Sequence, residues 1–222
     1  MMHLNNPFIR RGLAFAFAAT LGMMGLGGAA FATTPAAEPA LDLVDSAGVM
    51  RPKEEPVQIS EVPAGPLMAG RASDQYRKQA AVVASYIANY NKKLAWSDVS
   101  AISDAIVQYS NRYGVDYRLL TSIIAVESSF RRDVVSSSGA IGMGQLKPDT
   151  AKWLGVLDPY DPVDNIAGTA RFLSWLVRKY NGNLESALSA YYQGPGYVDR
   201  NGITPVCFPY LQKVNRALGG LM

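Results

Sequence analysis

From Ser73 to the C-terminus, apolar residues recur at steps of three and four, and no clear alternating apolar and polar run interrupts them. That period belongs to helices with one buried face. The stretch is thereby confined to an α fold, and it reads as a single helical domain over residues 71–222. Tyr76, Ala80, Val83, Ile87 and Tyr90 form the first stripe. A second helix, capped by Ser97, turns Val99, Ile102, Ile106 and Tyr109 inward and stops at Gly114. Asp116 is a suitable N-cap for a third. Pro148 to Leu154 makes a short helix with proline in its first turn. Asp164 to Tyr180 follows, burying Ile166, Ala170, Leu173, Leu176, Val177 and Tyr180. Asn183 caps the next, with Leu184, Leu188 and Tyr191 inward, and Gly194-Pro195-Gly196 stops it. The last runs from Phe208 to Leu218 over Leu211, Val214 and Leu218.

Ahead of this domain the composition changes twice. Residues 1–32 carry Arg10 and Arg11, an apolar run from Leu13 to Gly28, and Ala30-Phe31-Ala32, with no acid before Glu38. This is the pattern of a secretory signal peptide with a small-x-small cleavage site; the other reading is an uncleaved anchor. The apolar run is short for a span of about 20 residues. Residues 33–70 hold Pro35, Pro39, Pro52, Pro56, Pro63 and Pro66 among scattered acids. Such a segment lacks the apolar side chains to form a core and is expected to be a disordered, proline-rich linker. The chain is therefore expected to be exported to the periplasm or cell envelope.

Residue counts remove several chemistries. The sole histidine is His3, inside the presumed leader, and the sole cysteine is Cys207. A mature chain without histidine has no Ser-His-Asp triad, no Cys-His pair and no histidine metal ligand. One cysteine allows neither an internal disulfide nor a cysteine-based zinc site. No metal or other cofactor is expected. The net charge of +3 comes without a Lys/Arg cluster, so no nucleic-acid partner is expected. Acid–base chemistry is left to a carboxylate, a lysine or a tyrosine.

Glu127 is the carboxylate in the most telling position. It follows Leu120 by seven residues, Ile123 by four and Ile124 by three, which puts it on the apolar stripe of the third helix. Burial there, and a helix C-terminus close by, favour the protonated form. A carboxyl kept neutral near pH 7 suits a general acid. The same spacing also fits a glutamate at the stripe's edge with its carboxylate turned to water. Downstream, glycines at 139, 142 and 144 permit close backbone approach to a ligand, or simply a flexible turn. Gln145 offers an amide donor and acceptor. Tyr191 lies on the apolar face of its helix, as a core residue or with its hydroxyl aimed at Glu127.

Taken together these blocks resemble the lytic transglycosylases, lysozyme-like enzymes that cleave peptidoglycan. Glu127-Ser128-Ser129-Phe130 matches the family's Glu-Ser-x-Phe, and Gly139-Ala140-Ile141-Gly142 its Gly-Ala-x-Gly, closed by Gln145. Pro148, Thr150 and Ala151 match Pro-x-Thr-Ala, and Asn165-Ile166 with Gly168 matches Asn-Ile-x-x-Gly. Tyr180-Asn181-Gly182-Asn183, Ala190-Tyr191, Gly194-Pro195-Gly196 and Tyr210 with Lys213-Val214 match the later blocks in order. The chain departs from the family at Met143-Gly144, where Leu-Met is usual, and at Lys147, where methionine is common. It departs again at Tyr192 and Gln193, in place of asparagine and alanine, and at Val206-Cys207, in place of Glu-Thr.

The resemblance implies that Glu127 is the catalytic acid and then base. It implies that Ser136, Gly142, Gln145 and Tyr191 contact the substrate, a peptidoglycan glycan strand. The implied reaction breaks the bond between N-acetylmuramic acid and N-acetylglucosamine and closes the muramic C6 hydroxyl onto the anomeric carbon. Two other functions fit the same fold. One is a goose-type-lysozyme-like hydrolase, which needs a second carboxylate such as Asp133, Asp149 or Asp161. The other is a weakly active glycan-binding module of an envelope assembly or secretion machine. The protein is expected to be a monomer.

Overall fold

The computed structural model describes Leu43–Val44, Met50–Arg51 and residues 71–222. The leader read over residues 1–32 lies outside the described residues. Within the presumed linker, β1 (Leu43–Val44) and β2 (Met50–Arg51) pair antiparallel, with Leu43 opposite Arg51 and Val44 opposite Met50. Strands of two residues are too short to show an alternating pattern, which is why the sequence gives no sign of them.

Among the described residues the remaining elements are helices, as the apolar period predicts, apart from isolated bridges that Ile141 makes to Val135 and Leu146. The elements are α1 (Arg71–Tyr90), α2 (Trp96–Tyr113), α3 (Tyr117–Ser128), α4 (Pro148–Trp153), α5 (Pro162–Lys179), α6 (Leu184–Gln193), α7 (Pro195–Asn201) and α8 (Phe208–Gly219). A single 3₁₀ turn at Pro205–Cys207 precedes α8. Among the described residues, no helix is long and apolar enough to cross a membrane.

Local chemistry explains most boundaries. Asp116 accepts from the Arg118 N–H at 2.8 Å and starts α3. Gly114 ends α2 in the left-handed region at φ 67°. Asp161 and Asn183 cap α5 and α6 through the N–H groups of Asp164 and Ser186. Three expectations need correction. Helix α2 starts at Trp96 with Ala95 at its N-cap, so Ser97 is already inside and caps nothing. Helix α5 begins at Pro162, whose fixed φ suits a first turn, rather than at Asp164. Gly194 does end α6, but Pro195 immediately opens α7, because proline at a first helical position starts a helix as readily as it stops one.

The core is built around α3. Leu120, Ile124 and Ala125 face α1 and α2, where they meet Val83, Ile87, Val99, Ile102 and Ile106. Leu119 and Ile123 face Leu173 of α5, Leu188 of α6 and Tyr210 and Val214 of α8. A third cluster joins α4, α5, α6 and α7 through Leu146, Leu154, Trp175, Leu176, Ala187 and Val198. With both faces covered, α3 has buried hydroxyls at Thr121, Ser122 and Ser128. Each returns to a carbonyl one turn back, those of Tyr117, Arg118 and Ile124. Tyr90 is the exception on the α1 stripe: it is 46% exposed, with its hydroxyl on the Ala125 carbonyl. It sits at the last residue of its helix, where the core no longer encloses the ring.

Candidate active site

Glu127 stands in the last turn of α3, where the apolar stripe meets the surface. The helix stops there because the backbone reverses sharply. Ser129 and Phe130 both take positive φ, 56° and 60°. Non-glycine residues in that region are uncommon, and a bulky one is strained. The Phe130 ring is fully buried, edge-on to Tyr86 and Tyr90, and the Asn91 amide donates to the Ser129 carbonyl at 2.9 Å. Those contacts hold the reversal and fix where α3 ends.

The Glu127 carboxyl is largely shut off from water. Burial pushes it up from 4.5 to about 7, while a hydrogen bond from Tyr210 pulls partly the other way. That bond runs from the Tyr210 hydroxyl on α8 to Glu127 Oε1 at 2.9 Å. The direction agrees with the reading of the stripe, and the cause is desolvation. The hydroxyls of Tyr210 and Tyr191 are in turn raised well above their ordinary range, first by burial and then by the nearby Glu127 charge.

Tyr191 therefore lies close enough to feel Glu127, but its hydroxyl points elsewhere. It donates to the Gly144 carbonyl at 2.6 Å. The tyrosine whose hydroxyl is aimed at Glu127 is Tyr210, not Tyr191. The sequence carried a sign of this: Tyr210 precedes Val214 by one helical turn, on the buried face of α8.

The glycine block forms a tight loop laid against α5. Ile141 and Leu146 exchange both backbone hydrogen bonds, at 2.9 and 3.1 Å, and the Gly142 N–H donates to the Val134 carbonyl. Asn165, fully buried, ties the loop to the helix. Its Oδ1 accepts from the Gly144 N–H at 2.8 Å, and its Nδ2 donates to the carbonyls of Ile141 and Pro159. A Cβ on Gly142 would lie 2.3 Å from the Pro159 oxygen, and one on Gly144 only 1.9 Å from Thr169 Oγ1. At these two positions glycine makes room for α5 and the Pro159 carbonyl. Only the Gly139 turn, at φ 80°, has open space around it.

The other expected contacts also serve the loop. The Ser136 hydroxyl accepts from the Ala140 N–H at 2.9 Å. Gln145, at φ 51°, spends its amide N–H donors on the carbonyls of Val134 and Gly142, both at 3.0 Å. Lys147 reaches back to the Ser138 carbonyl. Structure thus brings Glu127, Tyr210 and Tyr191 together and attaches Gly142, Gly144 and Gln145 to them through the Tyr191–Gly144 bond. The residues sequence reasoning missed are Tyr210, Asn165 and Thr169.

Two of the divergent positions, Gln193 and Cys207, are in contact with one another. The Cys207 thiol, fully buried, donates to Gln193 Oε1, which also accepts from Thr204 at 3.2 Å. Tyr192 stacks on Tyr210 with ring centroids 4.8 Å apart and planes 17° from parallel. No group of three or more His, Cys, Asp or Glu suited to a metal occurs among the described residues.

The sequence model of the family described as Transglycosylase SLT domain matches residues 104–204, which include Glu127, the glycine loop and Tyr191. Over that stretch the chain is similar to the transglycosylase SLT domain. Over 85 residues the chain is 42% identical to a transglycosylase of Enterobacteria phage PRD1, covering 38% of this chain and 32% of the phage protein. Over 95 residues it is 38% identical to membrane-bound lytic murein transglycosylase F 1 of Alkalilimnicola ehrlichii, covering 40% of this chain and 19% of that protein. The chain thus spans about a third or less of the length of these relatives. Among solved structures, an inactive mutant of the lytic transglycosylase Slt from Pseudomonas aeruginosa aligns at TM-score 0.42 and 22% identity, over 67% of this chain and 28% of that one. The 70 kDa soluble lytic transglycosylase of Escherichia coli aligns at TM-score 0.41 and 18% identity, over 66% and 28%. The SLT match ends at residue 204, so Tyr210, the hydrogen-bond partner of Glu127, lies beyond it.

Proposed function

We propose that this domain is a peptidoglycan lytic transglycosylase in which Glu127 acts first as acid and then as base. The observation that carries the proposal is a half-buried carboxyl, hydrogen-bonded by Tyr210 and raised by burial to about 7, with no neighbouring carboxylate contributing to its shift. In the first step the Glu127 proton goes to the oxygen linking N-acetylmuramic acid to N-acetylglucosamine, and the bond from that oxygen to the muramic C1 breaks. The resulting carboxylate then takes the proton of the muramic C6 hydroxyl as that oxygen bonds to C1. The proton count closes and no water is consumed. Tyr210 suits both steps, since a hydroxyl donor eases formation of the carboxylate without removing its basicity.

A hydrolase of this fold would instead pair two carboxyl groups across the bond, about 5–9.5 Å apart. None of the three candidates for a second one contributes to the raised pKa of Glu127. Asp161 caps α5, Asp149 sits exposed in the first turn of α4, and Asp133 is exposed on the loop after α3. We infer that the substrate is the glycan strand and that the site of action is the cell envelope. The leader pattern at residues 1–32 supports this.

The test is digestion of purified sacculi with mass analysis of the products. The expected products end in 1,6-anhydromuramic acid, one water lighter than hydrolysed ends. Glu127→Gln should lose at least about 100-fold in rate, the lower end for general acid–base catalysis. Asp133→Asn, Asp149→Asn and Asp161→Asn should lose far less. Reducing muramic ends would replace the transglycosylase reading with a hydrolase, and an active Glu127→Gln variant would remove Glu127 from the mechanism.

A further inference from the structure

Tyr192 is out of place for a surface residue. Its ring is 50% exposed, yet one face lies flat on Tyr210, itself almost fully buried. Tyr210 is the residue that holds Glu127. A ring stacked on a buried ring has little freedom to turn, so its outer face is presented in a fixed orientation. The Tyr192 hydroxyl has no hydrogen-bond partner among the described residues. Nothing in the fold therefore requires the polar end, and what the residue contributes is the ring.

The surroundings match. The thiol of Cys207 and the hydroxyl of Thr204 both meet Gln193, next in sequence to Tyr192, so the segment before α8 closes against the end of α6. Two of its side chains are exposed and uncharged: Val206 at 63% and Phe208 at 36%. The start of α8 and the turn before it thus carry exposed apolar and aromatic side chains. Scattered apolar side chains on a surface need no function. A rigidly backed aromatic face beside a partly buried acid is different: binding sites are built from apolar walls around a few placed polar groups.

We propose that the exposed face of Tyr192, backed by Tyr210, is a sugar-binding platform that receives the apolar C–H face of an N-acetylhexosamine ring next to Glu127. The proposal rests on the reading of the domain as glycan-cleaving. It adds a subsite formed by the aromatic ring that follows Tyr191 in the chain. Preorganisation by Tyr210 reduces the ordering cost of binding, which is where a fixed ring gains over a mobile one. The polar surface of the sugar remains free for the donors and acceptors of the site.

The experiment is calorimetric titration of the full chain carrying Glu127→Gln with N,N′,N″-triacetylchitotriose, which that variant should not cleave. Adding Tyr192→Phe should leave Kd within about twofold, because the ring face is kept. Adding Tyr192→Ala should weaken binding about tenfold, equivalent to about 1.4 kcal/mol. Near-ultraviolet circular dichroism checks that Tyr192→Ala keeps its packing. The platform is overturned if Tyr192→Ala binds as tightly as the parent, if Tyr192→Phe is as weak as Tyr192→Ala, or if the parent does not bind the oligosaccharide. Loss of sacculus digestion by Glu127→Gln tests the enzymatic reading separately, so failure of one is distinguishable from failure of the other.

Discussion

Replacing Glu127 by glutamine should stabilise the protein, and by an amount that depends on pH in a defined way. Burial raises the carboxyl from 4.5 to about 7. In the folded state it therefore holds a proton that the unfolded chain releases throughout the window between those values. Stability must then fall as pH rises through that window. The contribution is fully present below pH 4.5 and is gone above about pH 7. At about 1.4 kcal/mol per tenfold change, the full loss is about 3 kcal/mol. Glutamine is close in shape, stays neutral and can accept the same Tyr210 hydroxyl, so it avoids the cost. Urea unfolding at pH 4, 6 and 8 should show the two proteins nearly equal at pH 4. At pH 8 Glu127→Gln should be ahead by up to about 3 kcal/mol. In melting temperature that is about 2–4 °C per kcal/mol for a chain of this size. A variant no more stable than the parent at pH 8 would refute the claim that the carboxyl is desolvated.

Tyr210→Phe removes the hydroxyl that favours the carboxylate form of Glu127, so the alkaline limb of kcat/KM on sacculi should move to higher pH; a shift to lower pH would mean that the hydroxyl does not stabilise the charge. Gly144→Ala places a Cβ 1.9 Å from Thr169 Oγ1 and should cost about 1–3 kcal/mol by overpacking. Thr169→Ala should recover part of that loss in a double-mutant cycle, and additive losses would show that the clash is not with Thr169. Asn165→Leu leaves the Gly144 N–H and the Pro159 carbonyl without a partner, while the Ile141 carbonyl keeps the Leu146 N–H. At about 1–3 kcal/mol per orphaned buried group, it should lose about 2 kcal/mol or more in chemical denaturation, with proteolysis first appearing in the loop around Gly144.

The helical architecture was legible because it follows from spacing: Val83, Ile87, Val99, Ile102, Ile106, Ile166, Leu173 and Val214 are all buried as their period requires. Glu127 was legible for the same reason, since an acid on an apolar stripe has few environments open to it. The loop was not. Gly142 and Gly144 make room for α5 and Pro159, and Gln145 closes the loop on itself, structural roles that their spacing in the sequence does not reveal. A glycine that accommodates a neighbouring helix and one that accommodates a substrate look alike in one dimension. Tyr191 and Tyr210 show the same limit. Both sit on apolar faces, and only the crossing of α3 with α8 decides which hydroxyl reaches Glu127.

The departures from the family pattern gain meaning when taken as pairs. Gln193 replaces a small residue and Cys207 replaces a hydroxyl-bearing one, and the two are hydrogen-bonded to each other. A longer side chain at one position is met by a compact donor at the other, so the junction between α6 and α8 stays closed. Tyr192 replaces asparagine and stacks on Tyr210, which it backs against Glu127. Neither substitution removes the acid, its burial or its hydroxyl partner. What they set is the surface beside Tyr210, where the exposed ring of Tyr192 is the platform proposed above. The chemistry proposed for Glu127 and the altered surface beside it are therefore independent properties of the site, one carried by α3 and the other by the ends of α6 and α8.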